Sequence, residues 1–217
     1  MPRPSGKRTV TTIGVDIGQK RDPTAIAVTE IEYRDSELAR PESHYLIRHL
    51  ERLPLGTVYP EISRRIDRIC LGVEKQTGRR SDIFVDATGV GKPIIDLLND
   101  STRAAHRVWA VYFTHGDRRI EYREEKQITL GKAFLVSRLQ MLLQFQRLHL
   151  PRDHREADAL VQELLNYEIR VDENANDKYG AFRVGTHDDL VTALGLAVNK
   201  EPRVSIFPDP NGVYYGI

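Results

Sequence analysis

The stretch Thr9-Val-Thr-Thr-Ile-Gly-Val-Asp-Ile-Gly18 is a β-branched run that closes on an aspartate and a glycine. Alternation along a strand puts Ile13, Val15 and Ile17 on one face and Asp16 on the other. A carboxylate near the end of an apolar strand is costly to hold there unless it is hydrogen-bonded, paired or bound to a metal. The stretch therefore predicts a buried strand whose acid needs partners from elsewhere in the chain.

Two further strands follow this run after short connections. They are expected over about 24–33 and 43–52, and the second of them is the more polar. Short connections favour antiparallel pairing between neighbouring strands. The sequence thus predicts a meander of three antiparallel strands, with the third nearer an edge of the sheet.

The remainder of the chain alternates between helical and strand patterns. Between Gly56 and Gly78, apolar residues recur at helical spacing, which is typical of an amphipathic helix. The other expected elements are, in order, a strand at 82–86, a helix through Leu98, a strand at 107–113, a polar loop at 114–126, a helix over about 128–146, a short strand at 148–150, a helix over about 154–166, a hairpin of 167–171 with 180–184, and a helix over 186–198 that Thr186 caps. This order predicts an α/β fold, a mixed β-sheet of three antiparallel strands plus parallel strands with helices on both faces.

The totals indicate one large domain with short flanking segments. The chain has 217 residues, of which 40% are hydrophobic, so it can bury a sizeable core. We expect a flexible basic lead over 1–8, a single domain over 9–200 and an extended tail over 201–217. Lys and Arg number 32 against 31 Asp and Glu, a net charge of +1, which neither requires nor forbids a polyanionic partner.

The cellular setting follows from what the sequence contains. Its one cysteine, Cys70, lies inside a helical pattern and has no second cysteine to pair with, which fits a reducing interior. No apolar run is long enough to span a bilayer, and no hydrophobic signal segment follows the N-terminus. We therefore expect a soluble intracellular protein that does not contact a membrane.

Four acids fall where a fold of this kind gathers ligands. Asp16 and Asp86 end predicted strands, and ligands collect at the carboxyl ends of strands in open α/β sheets. Asp188 and Asp189 fall in the first turn of the last helix, where the helix dipole favours negative charge. Each acid alone also has a structural explanation, since Asp86 can cap the following turn and the other two can stabilise their own helix.

Taken together, these acids indicate a metal site. Three or four carboxylates on one point repel one another, and Mg²⁺ or Mn²⁺ is the usual remedy. Two such ions roughly 3.5–4 Å apart are an established device for cleaving phosphodiesters.

Three motifs carry a resemblance to a known family. They are Val15-Asp-Ile-Gly-Gln-Lys-Arg-Asp-Pro-Thr-Ala-Ile-Ala-Val28, Phe84-Val-Asp-Ala-Thr-Gly-Val-Gly91 and Gly185-Thr-His-Asp-Asp-Leu-Val-Thr-Ala-Leu194. In order and spacing, across about residues 9–198, they resemble the nuclease domain of the large terminase subunit of tailed bacteriophages. The resemblance implies an RNase H-like fold, related to Holliday-junction resolvases, and an endonuclease that cuts concatemeric viral DNA during packaging.

The resemblance also implies a ligand set and partners. Asp16, Asp86 and Asp189 would bind two Mg²⁺ or Mn²⁺ ions, with Asp188 beside them. Adjacent helical residues project about 100° apart, so we expect one of Asp188 and Asp189 to bind directly and the other through water or to a second ion. Some relatives have an acid where this chain has Thr192. The implied partners are double-stranded DNA, a packaging ATPase domain, the small terminase subunit and the portal, in the host cytoplasm.

A glycine-rich turn imitates a nucleotide-binding loop but departs from it. The pattern G-x-x-x-x-G-K-[ST] needs glycine at position 86 and a hydroxyl at position 93, where this chain has Asp86 and Pro93. We therefore expect a structural turn beside the metal site, with Pro93 opening a helix. The chain reads as a nuclease domain without its motor.

Several basic residues and one histidine are weaker candidates. His187 precedes the acid pair. It is either a first-turn residue of the helix, or a partner of the metal ligands or a proton shuttle near the scissile phosphate. Trp109 is expected in the core. The basic residues that could contact DNA phosphates, with little dependence on base sequence, are Lys20, Arg21, Arg118, Arg119, Lys126 and Lys132.

Two other functions remain open on the sequence. Gly14-Val-Asp-Ile-Gly18 also resembles the phosphate loop of actin-like and sugar-kinase-like ATPases, although those proteins need two such lobes. A non-catalytic DNA-binding module of a packaging machine is the other alternative. Such a module would bind DNA whether or not divalent metal is removed.

Overall fold

One mixed β-sheet of eight strands forms the centre of the protein, in a computed structural model that describes residues 9–18, 22–34, 42–89, 92–101, 107–171, 177–180, 187–199, 206–208 and 214–216. Its strands are β1 (Val10–Asp16), β2 (Ala25–Arg34), β3 (Glu42–Arg52), β4 (Asp82–Asp86), β5 (Arg107–Thr114), β6 (Arg119–Tyr122), β7 (Gln127–Gly131) and β8 (Leu148–His149). The helices are α1 (Tyr59–Thr77), α2 (Lys92–Ser101), α3 (Lys132–Gln144), α4 (Ala157–Asn166) and α5 (Asp189–Ala197). Two small hairpins pair β9 (Glu168–Val171) with β10 (Asp177–Gly180) and β11 (Ile206–Pro208) with β12 (Tyr214–Gly216).

The strand order is β6-β7-β5-β4-β1-β2-β3-β8. The pairs β1–β2 and β2–β3 are antiparallel, as the short connections predict. The pairs β1–β4, β4–β5 and β5–β7 are parallel. The predicted mixed sheet, with a three-stranded meander joined to parallel strands, is confirmed.

Two hydrophobic clusters lie on the two faces of this sheet. Helices α1 and α2 contribute Ile62, Ile66 and Ile94 to the cluster that contains Ile13 and Val15 of β1. Helices α3, α4 and α5 contribute Leu135, Leu160 and Leu194, among others, to the second cluster. Each face of the sheet is therefore covered by helices, as predicted.

Helix α1 has the boundaries that its sequence specifies. Pro60 lies in its first turn, where a missing amide hydrogen costs nothing. Gly78 ends it with a φ of 66°, a left-handed conformation that glycine adopts without steric cost, and its N–H donates to the Glu74 carbonyl over 2.8 Å.

The region after β5 differs from the sequence prediction. The loop expected over 114–126 contains strand β6, and the helix expected from residue 128 begins at Lys132. Ile128 and Leu130 are fully buried, because β7 pairs with β5 on one side and β6 on the other. In the sequence, the alternating apolar residues of β7 are followed at once by the helically spaced leucines of α3. The end of the strand and the start of the helix therefore cannot be told apart from the pattern.

Other predicted boundaries are tested only in part. The second hairpin strand was expected at 180–184, but β10 is Asp177–Gly180, and residues 181–184 lie outside the described residues. Thr186, the expected cap, and the lead at 1–8 also lie outside them. The domain boundaries therefore stay predictions. Within the described part of the chain, no helix is long and apolar enough to cross a membrane.

Candidate metal centre

Asp16 and Asp86 lie side by side at one edge of the sheet. They are the last residues of the parallel neighbours β1 and β4, and the register pairs Val15 with Val85 immediately before them. Parallel strands that end in register deliver their last side chains to the same edge. The predicted meeting of these two strand-end acids is therefore present.

Helix α5 reaches the same edge because Gly14 lets it lie directly on β1. A Cβ at position 14 would collide with the Ala193 carbonyl and lie 2.5 Å from the Ala197 nitrogen. Thr12 Oγ1 donates to the Ala197 carbonyl over 2.7 Å. The helix thus runs antiparallel to β1, with Ala197 over Thr12 and Ala193 over Gly14. One further turn brings its N-terminus to Asp16.

The electrostatics of Asp16 show that the acids act on one another. Burial raises the pKa of Asp16 well above its ordinary value, and the charges of Asp86, Asp188 and Asp189, in that order, raise it further. Lys132 opposes the shift. All four predicted acids are therefore close enough to share one electrostatic field.

Asp86 is oriented by its own turn. Its Oδ1 accepts a hydrogen bond from the Thr88 N–H over 2.8 Å, and Thr88 Oγ1 in turn accepts one from the Phe113 N–H over 2.8 Å. The structural role considered for Asp86, capping the turn, is thus real. It also ties the carboxylate to the end of β5 and limits its rotation.

Asp189 is held by an arginine. Its Oδ2 accepts from Nε of Arg52 over 2.6 Å, and its Oδ1 lies 3.7 Å from Nδ1 of His187. The Asp189 side chain is only 4% exposed, whereas that of His187 is 44% exposed. His187 is therefore a neighbour of Asp189 at the surface of the site.

The side chains suit a divalent cation in kind, although they are not already arranged around one point. Carboxylate oxygens are the donors that Mg²⁺ and Mn²⁺ prefer. The raised pKa of Asp16 reflects its burial first and the neighbouring negative charges second, and a bound cation would offset both. In the part of the chain that the structure describes, no three acidic, histidine or cysteine side chains form a ready-made ligand set.

The basic candidates fall into three groups. Lys20 and Arg21 lie outside the described residues. Arg118 and Lys126 are exposed near the β6–β7 hairpin. Lys132, at the start of α3, acts on Asp16 and lies 5.6 Å from the centre of the Phe113 ring.

Arg119 has a structural role in this arrangement. Its side chain is 14% exposed, with Nε donating to Asn199 Oδ1 over 2.9 Å and the other nitrogens to Glu121 over 3.0 and 3.1 Å. Its guanidinium ties β6 to the end of α5.

Two aromatic or sulfur-containing residues belong to the interior. Trp109 is 7% exposed and packs in the core, as predicted. Cys70 is buried in α1, and burial raises the pKa of its thiol to about 12. Such a thiol is not a nucleophile near neutral pH.

Comparison with solved structures defines the fold. The large terminase nuclease from thermophilic phage G20c with bound magnesium aligns with a TM-score of 0.59 and 21% identity, over 91% of this chain and 83% of that one. The chain has the fold of large-terminase nuclease domains. The human cytomegalovirus terminase nuclease domain, soaked in manganese, aligns with a TM-score of 0.52 and 16% identity, over 86% of this chain and 80% of that one.

The same fold occurs within a longer protein. The HK97 bacteriophage large terminase aligns with a TM-score of 0.51 and 14% identity, over 92% of this chain and 40% of that one. No protein-family model matches the sequence, and no curated protein matches it. The resemblance to terminase nuclease domains, drawn from three motifs, and the RNase H-like fold that it implies are therefore confirmed by structure rather than by sequence matching.

Sequence reasoning missed two residues of this terminase-nuclease fold. Arg52 ends β3 and reaches Asp189, and Glu163 of α4 contacts the same arginine. The position of Arg52 at the end of a predicted strand was the one signal that placed it at this edge. No local pattern marks Glu163.

Proposed function

We propose that this chain is a metal-dependent DNA endonuclease of a viral genome-packaging terminase. The observation that carries the proposal is that Asp16 and Asp86 end neighbouring parallel strands at one sheet edge, where the charges of Asp188 and Asp189 also act on Asp16. The fold likeness and the three motifs support the same activity. Acidic side chains that lie close together without an equal positive charge destabilise the folded protein unless they bind a cation.

We assign Asp16, Asp86 and Asp188 as the direct ligands. Asp188 acts on Asp16 more strongly than Asp189 does, and Asp189 is already paired with Arg52. Asp189 then contributes negative charge and holds the start of α5 in place. On this proposal, Asp188 is the acid of the adjacent pair that faces the metal.

The chemistry divides between the ions and the chain. Two bound Mg²⁺ or Mn²⁺ ions would activate a water molecule and stabilise the leaving 3′ oxygen. Thr88 keeps the Asp86 carboxylate in a fixed direction. The Lys132 ammonium, near Asp16, is placed to meet a phosphate of the substrate. No protein nucleophile is required, in keeping with the buried thiol of Cys70.

The substrate in this proposal is double-stranded DNA, bound mainly through its phosphates. Lys20, Arg21, Arg118 and Lys126 are the other basic residues assigned to this contact. Phosphate-led binding depends little on base sequence and weakens steeply with salt. The packaging ATPase domain, the small terminase subunit and the portal are the proposed partners, and the host cytoplasm is the proposed location.

Cleavage of supercoiled plasmid tests the proposal. Nicking or cutting is expected with Mg²⁺ or Mn²⁺ and not with EDTA. Asp86→Asn should lower the rate about 1,000-fold or more, which equals about 4 kcal/mol of transition-state stabilisation.

A matched control lies on the same strand. Asp82→Asn makes the same chemical change at the other end of β4 and should leave the rate within about threefold, well under 1 kcal/mol. Full cutting by Asp86→Asn would refute the site. DNA binding without cleavage under any metal would favour the non-catalytic module, and stabilisation by ATP would favour the ATPase lobe.

A further inference from the structure

Arg52 lies among three acids from three separate segments. Its Nε donates to Asp189 Oδ2 over 2.6 Å, its Nη2 contacts Glu163 Oε1, and its Nη1 lies 3.8 Å from Glu156 Oε2. Asp189 begins α5, Glu163 lies on α4, and Glu156 immediately precedes α4. One guanidinium at the end of β3 therefore joins two helices to the sheet.

This group is shielded from water. The side chains of Glu163 and Asp189 are 6% and 4% exposed, and that of Arg52 is 22% exposed. Charges in such a setting persist only when they are paired and hydrogen-bonded. Arg52 supplies the positive charge that both buried acids contact.

Glu163 has a second contact, with the start of α5. Its Oε2 accepts a hydrogen bond from the Val191 N–H over 3.0 Å in a buried setting. The first amide groups of a helix lack partners within the helix, and the N-cap residue Asp188 makes no side-chain capping bond. The missing cap is thus supplied from α4.

We propose that Arg52 and Glu163 are positioning residues that set the direction of the Asp188 and Asp189 side chains. Arg52 fixes Asp189, and Glu163 fixes the backbone two residues later. Asp188 is the N-cap residue directly before Asp189, with a φ of −135° and a ψ of 11°. Holding Asp189 and the first turn of α5 therefore also holds the backbone from which the Asp188 side chain projects. This inference rests on the proposed function, in which Asp188 faces the metal.

The test is Mn²⁺ affinity, measured by titration calorimetry and by the electron paramagnetic resonance signal of free Mn²⁺. Arg52→Gln and Glu163→Ala should each weaken binding about 10–100-fold, the usual effect of removing a partner of a metal ligand. Glu163→Gln should bind with intermediate affinity, because its amide oxygen still accepts from Val191 N–H. Arg52→Lys keeps the positive charge and guards against failure of Arg52→Gln to fold.

A control separates positioning from general stability. Arg107→Gln removes the ion pair between Nε of Arg107 and Oδ1 of Asp82, which are 2.7 Å apart. This pair lies at the opposite end of β4 from Asp86. The substitution should lower the melting temperature and leave Mn²⁺ affinity unchanged. In plasmid cleavage, the Arg52 and Glu163 variants should need more Mn²⁺ for half-maximal rate, with a smaller loss at saturating Mn²⁺.

Each outcome decides between the proposals. Wild-type Mn²⁺ affinity in both Arg52→Gln and Glu163→Ala, with none in Asp86→Asn, would overturn the positioning role and leave the nuclease intact. Equal losses in Arg107→Gln would also overturn it, since the effect would then follow stability alone. Failure of the wild-type protein to bind Mn²⁺ would overturn the proposed function and the positioning role with it.

Discussion

Strand β4 carries an aspartate at each end, and the fold treats the two differently. At the amino end, Asp82 pairs with Arg107 over 2.7 Å and is 8% exposed. At the carboxyl end, Asp86 stands beside Asp16, whose pKa is raised by burial and then by the charges of Asp86 and the other acids. The same residue type on one strand is compensated at one edge and crowded with like charge at the other.

In the proposed function, this contrast separates a structural acid, Asp82, from a metal-binding one, Asp86. A buried carboxylate with its own guanidinium contributes to stability, because breaking such a pair leaves a charge without a partner. A carboxylate placed among others lowers stability until a cation arrives. In the proposed function, a cation bound at the carboxyl edge of the sheet offsets this cost.

The largest effect is expected from displacing α5 from that edge. Gly14→Ala would force a methyl group into the backbone of α5 and should destabilise the protein by about 3 kcal/mol, at the upper end of overpacking. Gly72→Ala is the matched control, since a Cβ there meets nothing and alanine favours a helix by about 1 kcal/mol. Urea unfolding measures both, and a neutral Gly14→Ala would contradict the close approach.

A smaller effect, opposite in sign at the two ends, is expected from the aspartates themselves. In EDTA, Asp82→Asn should lower the free energy of unfolding by up to about 1 kcal/mol, because Arg107, whose side chain is 69% exposed, loses its charged partner. Asp86→Asn should raise it by up to about 1 kcal/mol, because repulsion with Asp16 falls while its oxygen still accepts from Thr88. Thermal melting of both variants in EDTA measures the sign of each change. Equal losses in the two would remove the contrast.

The smallest effect is expected at the other end of β3, from a histidine pair. Nδ1 of His44 and Nε2 of His149 lie 2.9 Å apart, and burial followed by Arg34 lowers the pKa of both rings. Arg147 lowers the pKa of His44 further, whereas Glu42 and Glu32 act in the opposite direction on His44 and His149 respectively. The contact needs at least one neutral ring.

The sign of the pH dependence follows from these lowered values. The unfolded chain takes up protons more readily, so stability is complete above the ordinary histidine pKa of about 6.5 and falls as pH drops below it. His149→Gln should reduce the change in melting temperature between pH 7 and pH 5.5. The change should be less than the roughly 2–4 °C that 1 kcal/mol causes in a chain of this size. An unchanged slope in the variant would remove this role.

Much of the carboxyl edge could be predicted because its signals are local. Asp16 and Asp86 each follow an apolar strand, and Asp188 and Asp189 open an amphipathic helix. Strand ends and helix starts are features of short segments. The topology rule for α/β sheets then places them at one edge.

The remainder depends on contacts between distant segments. Arg52 and Asp189 are 137 residues apart, and no local pattern joins them. Arg119 lies in a basic pair that suggested DNA, but Glu121 and Asn199 hold it within the fold. The β6–β7 hairpin was hidden because the buried residues of β7 continue into the periodic pattern of α3.

The most direct test of the carboxyl edge is thermal melting with and without Mn²⁺. At a concentration 100-fold above its dissociation constant, a cation that binds only the folded state stabilises it by about 2.7 kcal/mol. Wild type and Asp82→Asn should therefore show the same rise in melting temperature with Mn²⁺, and Asp86→Asn should show almost none. An equal rise in all three proteins, or no rise in any, would contradict a metal site built on Asp16 and Asp86.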